Sequence, residues 1–167
     1  MDVINDLVRI KIFREEKAEL AMIKAKVKFI EAEKSLEQAR KVLREHKKDC
    51  IAREKALYDD LCTRIVLLKD INSVTLDIDL MAEKTLQLEN ELEKIKEERD
   101  IASDELDMAK AVHRGAVQMR QKFTEIKETI DSEKLAELLQ KEDLELEEVA
   151  SKRQIDGEDS TEELEFY

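Results

Sequence analysis

Apolar residues recur every seven positions in both halves of the chain. In the first half the repeat falls on alanine, at Ala18, Ala25, Ala32 and Ala39. A second series of larger residues accompanies it, at Met22, Phe29, Leu36, Leu43, Cys50 and Leu57. In the second half the repeat runs through Met81, Leu88, Ile95, Ala102, Ala109, Ala116, Phe123 and Ile130. A sustained seven-residue repeat is typical of helices that supercoil around one another, so the pattern predicts two long coiled-coil helices.

The alanines of the two halves suggest that the chain folds back on itself. A reversal near residue 72 would place Ala32 opposite residue 112 and Ala39 opposite residue 105, where small side chains let two backbones approach closely. We therefore predict an all-α fold, a long antiparallel two-helix coiled-coil hairpin over residues 1–150. Helix one is expected at about 2–69, the turn at about 70–74 and helix two at about 75–150, followed by a disordered acidic tail at 151–167.

The position of the turn depends on weak signals. Asn72 and Ser73 form the only polar pair with turn character in the central third of the chain. No Gly or Pro enforces a reversal there, so an uninterrupted helix that forms a parallel dimer stays open as an alternative. Asp2 is the expected N-cap of helix one. Gly115, inside helix two, is expected to permit a close approach to helix one near Lys28 or Phe29.

Composition excludes an ordinary globular domain. Of 167 residues, 43% are charged and 4% are aromatic, so the chain has few large residues for a wide core. With no Pro and two Gly it also has few residues that favour turns. The net charge of −12 disfavours nucleic acid as a partner. Residues 9–48 nevertheless carry 13 basic and 7 acidic groups. That excess would suit an acidic protein surface, or it is a solvated face balanced by the acidic second helix.

No combination of residues in the sequence indicates an enzyme, a metal site or a bound cofactor. The chain has no phosphate-binding loop and no nucleophile motif. His46 and Cys50 have metal-ligand spacing, but both fall on core positions, which favours a half-buried core pair. Cys50 and Cys62 are too far apart on one helix for a disulfide and read as thiols of a reducing compartment. Without a signal peptide or a long apolar stretch, the chain is expected to be soluble and cytosolic.

Apolar residues exceed the needs of a two-helix seam at both ends of the predicted hairpin. Such patches mark partner sites or self-packing of the helix ends. At the open end they are Val3, Ile4, Leu7, Val8, Ile10, Ile12 and Phe13, with Phe123, Ile126, Ile130, Leu135, Leu138 and Leu139 opposite. At the loop end they are Leu61, Ile65, Val66, Leu67, Leu68, Ile71, Val74, Leu76, Ile78 and Leu80.

Three segments resemble the YscO family of type III secretion proteins, to which the flagellar protein FliJ is related. They are LVRIKIFREEKAE at residues 7–19, REKALYDDL at 53–61 and the acidic KFTEIKETIDSEKLAELLQKEDLELEEVA at 122–150. The resemblance implies a non-enzymatic stalk similar to the shaft of rotary ATPases. In that family the helix termini enter the central hole of a hexameric export ATPase, the loop end points toward the export gate at the inner membrane, and some members bind substrate chaperones.

The resemblance also assigns residues to the two ends. The ATPase end would carry Leu7, Ile10, Lys11, Arg14 and Phe123, and the gate-facing part would carry Cys50, Leu57, Tyr58 and Leu61. The isolated chain is expected to be a monomer. The alternatives are a generic structural spacer that forms a homodimer, and a membrane-surface helix assembly held by Lys24, Lys26 and Lys28. The overall negative charge argues against the membrane-surface assembly.

Overall fold

Two helices make up almost all of the chain in a computed structural model, which describes the backbone of residues 3–159 and the side chains of residues 3–154. Helix α1 is Val3–Thr63 and helix α2 is Leu68–Asp159. Residues 64–67 join them, and no strand occurs between residues 3 and 159. The all-α prediction is confirmed. The expected N-cap, Asp2, lies outside the described residues.

The turn lies earlier than the sequence predicted. Helix α1 ends at Thr63 rather than near residue 69, and Asn72 and Ser73 lie in the first turns of α2 instead of in the connection. Asp70 explains where α2 begins, because its Oδ2 accepts a hydrogen bond from the Leu67 amide at 3.0 Å. The Asp70 amide in turn donates to the Leu67 carbonyl at 3.0 Å. This reciprocal pairing satisfies backbone groups that a helix N-terminus leaves unpaired.

A single arginine ties the two sides of this turn together. The Arg64 side chain lies 3.1 Å from Asp60 on α1 and 3.6 Å from Asp70 on α2. The β-branched residues that suggested a break are accommodated inside α2. Val74 is buried, and the Thr75 hydroxyl donates to the Ile71 carbonyl at 3.0 Å. Acidic and basic side chains therefore define the reversal in place of Gly or Pro.

Contacts within the chain divide it into two units, where the sequence predicted one domain over residues 1–150. Unit 1 consists of Met1–Glu15 and Ala116–Tyr167, and unit 2 is Glu16–Gly115. Each unit combines part of α1 with part of α2.

Unit 2 is an antiparallel helical hairpin. Glu33 on α1 pairs with Arg99 on α2 at 3.2 Å, and Lys47 pairs with Glu89 at 3.0 Å. Partners further from the turn in α1 thus meet partners further from the turn in α2. The pairing of Glu33 with Arg99 also places Ala32 near the level of Ala102.

The predicted register is therefore wrong. Ala32 does not lie opposite residue 112, nor Ala39 opposite residue 105, because the turn at 64–67 shifts α2 relative to α1. Ala39 instead shares a groove with two larger side chains of α2, Leu88 and Ile95. An alanine facing large residues leaves an open groove where two facing alanines would bring the backbones together.

The seam of unit 2 has a thin core on the predicted heptad positions. Every member of the alanine series and of its companion series in α1 is buried or half-buried, which confirms the sequence periodicity. The buried apolar side chains of the described residues all lie in unit 2. They are Ala18, Leu36, Leu43, Val74, Ala102 and Leu106. A two-helix seam can enclose little more, since each side chain has neighbours on two helices only.

Unit 1 has no buried side chain among its described residues. An ion pair between Glu15 and Arg120 joins its two helical parts. Phe123 and Ile130 remain half-buried, as their heptad positions predict. From Asp131 to Gln154 every side chain is exposed. Helix packing in unit 1 therefore stops near Ile130, while α2 itself continues.

The predicted acidic tail is helical over its first part. Helix α2 runs on to Asp159, so residues 151–159 are not disordered as expected. The sequence there offers no helix stop, since Gly157 stands alone without Pro or a second Gly. Residues 160–167 lie outside the described residues.

Gly115 does not serve the close approach predicted for it. A Cβ placed on this residue would meet nothing within 4 Å. The position is therefore an ordinary helical site that happens to lack a side chain.

Candidate functional site

The two predicted groups of binding residues fall in different units. Leu7, Ile10, Lys11, Arg14 and Phe123 belong to unit 1. The gate-facing group, Cys50, Leu57, Tyr58 and Leu61, belongs to unit 2. Each group therefore belongs to the surface of its own unit.

Two of the unit 1 residues hold the helices together. The Lys11 Nζ atom lies 4.8 Å from the centre of the Phe123 ring, a distance at which an ammonium group is attracted to the face of an aromatic ring. Phe123 is half-buried on α2, and Lys11 is half-buried on α1. Both side chains thus take part in the unit 1 seam, and they present only part of their surface to a partner.

The other three unit 1 residues face outward. Leu7, Ile10 and Arg14 are all exposed on α1. Ile10 also lines a shallow hollow with Asp6, Arg9 and Phe13. This hollow combines an aromatic ring, an aliphatic side chain and both signs of charge, which suits a partner that brings an apolar side chain with a polar rim.

Arg9 and Asp6 were not among the predicted binding residues. The sequence shows both as isolated charges within an apolar run, which gives no sign that they share a face with Phe13. Helical spacing is the signal that identifies them, since residues 6, 9, 10 and 13 are three and four apart. The ion pair of Glu15 with Arg120 was likewise unrecognised, although Arg120 occupies a heptad core position.

Most of the gate-facing group belongs to the unit 2 seam. Cys50, Leu57 and Leu61 are half-buried on the side of α1 that packs against α2. Tyr58 alone points outward, with half of its surface exposed. A partner that binds this part of unit 2 would therefore contact Tyr58 directly, and would contact only the exposed edges of Cys50, Leu57 and Leu61.

Cys50 takes part in a small polar cluster in the seam. Its Sγ atom lies 3.3 Å from Nε2 of His46, and the same nitrogen lies 3.1 Å from the Thr85 hydroxyl. The Thr85 hydroxyl also donates to the Met81 carbonyl at 2.9 Å. The pair is a half-buried core contact, as the heptad positions predicted.

The turn end of unit 2 exposes large apolar side chains. Ile65 in the connection is 95% exposed, and Leu67 and Leu68 beside it are exposed as well. Between residues 3 and 154, no group of three or more His, Cys, Asp or Glu side chains has the arrangement of a metal site. No helix within the described part of the chain is long and apolar enough to cross a membrane.

Comparison with known proteins adds a family and a fold. A family model described as "Type III secretion protein YscO" matches residues 4–152. No curated protein matches the chain. Among solved structures, the crystal structure of type III secretion protein YscO from Vibrio parahaemolyticus is similar, with a TM-score of 0.76 and 20% sequence identity. That similarity covers 87% of this chain and 92% of the Vibrio chain, and at this identity it supports the fold.

Proposed function

The chain belongs to the YscO family of type III secretion proteins, and on this premise we propose that it is the non-enzymatic central stalk of a secretion system. Its helix termini dock in the hexameric export ATPase, and its turn end reaches toward the export gate. The protein acts in the cytoplasm at the periphery of the bacterial inner membrane. Substrate chaperones are further candidate partners.

The exposed surface of unit 1 is the observation that carries this proposal. Leu7, Ile10 and Arg14 face solvent on α1, and the side chains of residues 131–154 are exposed along α2. These helix ends offer apolar and charged groups together without a buried core. Docking inside a ring would cover that surface and supply the neighbours that unit 1 lacks.

The proposed contact with the export gate depends on unit 2. Tyr58 and the exposed side chains of Ile65, Leu67 and Leu68 form the apolar surface closest to the turn. Tyrosine is favoured at protein interfaces because its ring buries a large area while its hydroxyl remains able to form a hydrogen bond. We assign the contact with the export gate to this surface.

A binding assay with the export ATPase of the same secretion system tests the ATPase end. A variant with Leu7→Asp and Ile10→Asp is expected to lose most of its binding to the ATPase and any effect on ATP hydrolysis. Because both side chains are exposed, the variant should keep its helical circular dichroism spectrum. Leu76→Asp replaces an exposed leucine of unit 2 by the same residue, so it is the control and should bind normally.

The proposal fails if the unaltered chain neither binds the ATPase nor changes its activity or assembly. Equal loss of binding in the Leu76→Asp control would also contradict it, since the effect would then not belong to the helix ends. A separate assay with the soluble part of the export gate compares Tyr58→Ala with the unaltered chain. Loss of gate binding with ATPase binding retained is the expected result.

A further inference from the structure

The seam of unit 1 contains charged side chains where the seam of unit 2 has a buried apolar core. Between residues 3–15 and 116–130, the half-buried charged residues are Lys11, Glu15, Arg120 and Lys127. No described side chain of unit 1 is buried, whereas six apolar side chains are buried in unit 2. Burial of apolar surface therefore contributes less to holding the two helices together in unit 1 than in unit 2.

Glu15 is the single acidic residue among these four. It forms an ion pair with Arg120 across the seam. Lys11 lies over the ring of Phe123, with its Nζ atom 4.8 Å from the ring centre. Lys127 forms no ion pair within the described residues. One carboxylate thus balances the positive charge of three half-buried cations.

Loss of that carboxylate would leave three like charges in a partly dehydrated seam. A charge held away from water without an opposite partner is costly, because water no longer solvates and screens it fully. Exposed residues of both signs surround the seam, but they are hydrated where they stand. They include Arg14, Glu16, Lys122 and Glu125. The half-buried cations gain full hydration only if the two helices separate.

We propose that the charge of Glu15 controls whether the two helices of unit 1 stay together. While Glu15 pairs with Arg120 the helices remain in contact, and when that negative charge is removed they separate between residues 3–15 and 116–130. Separation uncovers the faces that Lys11 and Phe123 present to each other, so these two residues of the proposed ATPase end have a closed and an open form. That use of the opening rests on the proposed function, whereas the opening itself is a property of the isolated chain.

Distances between spin labels on the isolated full chain test the proposal. One chain carries labels at two exposed isoleucines of unit 1, through Ile12→Cys and Ile126→Cys. A second chain carries them at two exposed isoleucines of unit 2, through Ile30→Cys and Ile101→Cys. Serine replaces the two native cysteines in both chains, so that only the introduced thiols are labelled. Without further changes, each pair of labels should give a single distance.

Glu15→Gln is expected to lengthen the distance in unit 1 and to leave the distance in unit 2 unchanged. The share of chains with the longer distance should rise about fivefold or more, which is the factor that a partly shielded ion pair contributes to such an equilibrium. Glu16→Gln is the matched control. It removes the same charge from the exposed neighbouring residue, so it should change neither distance.

Two further variants test charge balance as the cause of the opening. Lys127→Gln added to Glu15→Gln removes one of the three cations, so it should restore part of the shorter distance in unit 1. Glu15→Arg combined with Arg120→Glu exchanges the two paired charges and keeps the total charge of the seam. This exchange should restore most of the shorter distance.

The proposal is overturned if Glu15→Gln leaves the unit 1 distance unchanged, or if Glu16→Gln lengthens it equally. Lengthening in unit 2 as well would mean a general loss of stability, which also contradicts an opening confined to unit 1. Exchanged charges that leave unit 1 open would contradict charge balance as the cause. None of these measurements includes the export ATPase, so a failure here leaves the proposed stalk function to its own test.

Discussion

The seam of unit 2 and residues 131–154 of α2, the C-terminal segment, are built from similar residues and differ in what surrounds them. In unit 2, Leu36 and Leu43 are buried between two helices. Ion pairs also join the two helices, Lys47 with Glu89 along the seam and Arg64 with Asp70 at the turn. In the segment, Leu139 and Leu146 have the same seven-residue spacing and stay exposed. Apolar heptads therefore stabilise this chain only where a second helix reaches them, and elsewhere they remain available to other molecules.

The largest difference between the two regions is expected when one leucine of each is replaced by alanine. Leu36→Ala should lower the free energy of unfolding by about 3 kcal/mol, because Leu36 is 2% exposed and its loss leaves a cavity in the seam. Leu138→Ala in the C-terminal segment should cost less than about 0.5 kcal/mol, since that side chain is already exposed. Urea unfolding followed by circular dichroism measures both, and equal losses would contradict the account.

A smaller effect of opposite sign is expected at the end of unit 2. Gly115→Ala should raise the free energy of unfolding by about 1 kcal/mol, because alanine favours the helix and its methyl group meets no neighbour within 4 Å. Thermal unfolding of the variant and the unaltered chain gives the difference. A loss of stability would mean that Gly115 does lie against another helix, as the sequence had suggested.

The smallest expected effects compare one ion pair from each unit. Glu15 and Arg120 in unit 1 are largely shielded from solvent, so a double-mutant cycle with Glu15→Gln and Arg120→Gln should give a coupling of about 1 kcal/mol. Lys47 and Glu89 in unit 2 are about half exposed, and the same cycle with Lys47→Gln and Glu89→Gln should give about 0.3 kcal/mol. A larger coupling for Lys47 with Glu89 than for Glu15 with Arg120 would contradict the expectation that shielding from solvent strengthens the unit 1 pair.

Periodicity predicted which residues face the seam, because burial repeats with the helix itself. The alanine series of α1 and the Met81 to Ile130 series of α2 lie inward as expected. Neither series determines which residue of α1 lies opposite which residue of α2, because sliding α2 along α1 by one seven-residue repeat keeps the same faces in contact. The register therefore followed from the turn, and an error in the turn passed into the pairs predicted for Ala32 and Ala39.

The turn itself could not be located from residue types alone. Its definition comes from Asp70 reaching back to the Leu67 amide and from Arg64 bridging Asp60 and Asp70, which are contacts among common surface residues. Asn72 suggested a turn because amide side chains favour turns, yet it lies within α2. Charged capping contacts decided the reversal in a chain without proline.

The sequence predicted the surroundings of the proposed binding residues only in part. Leu7, Ile10 and Arg14 are exposed on the helix end, which is compatible with the role that the family resemblance gave them. Lys11 and Phe123 also hold the unit 1 seam, and Cys50 contacts His46, because a heptad position serves packing before it serves a partner.

Hydrogen exchange of the chain with and without the export ATPase tests whether the helix termini dock in the ATPase, since it reports on both units in one experiment. Without the ATPase, amides around Leu36 and Leu43 should exchange slowly and those of residues 131–154 quickly. On addition of the ATPase, protection should increase at residues 3–14 and 116–154 and stay unchanged around Leu36 and Leu43. Protection confined to unit 2, or no change at the helix ends, would contradict a stalk that docks through its termini.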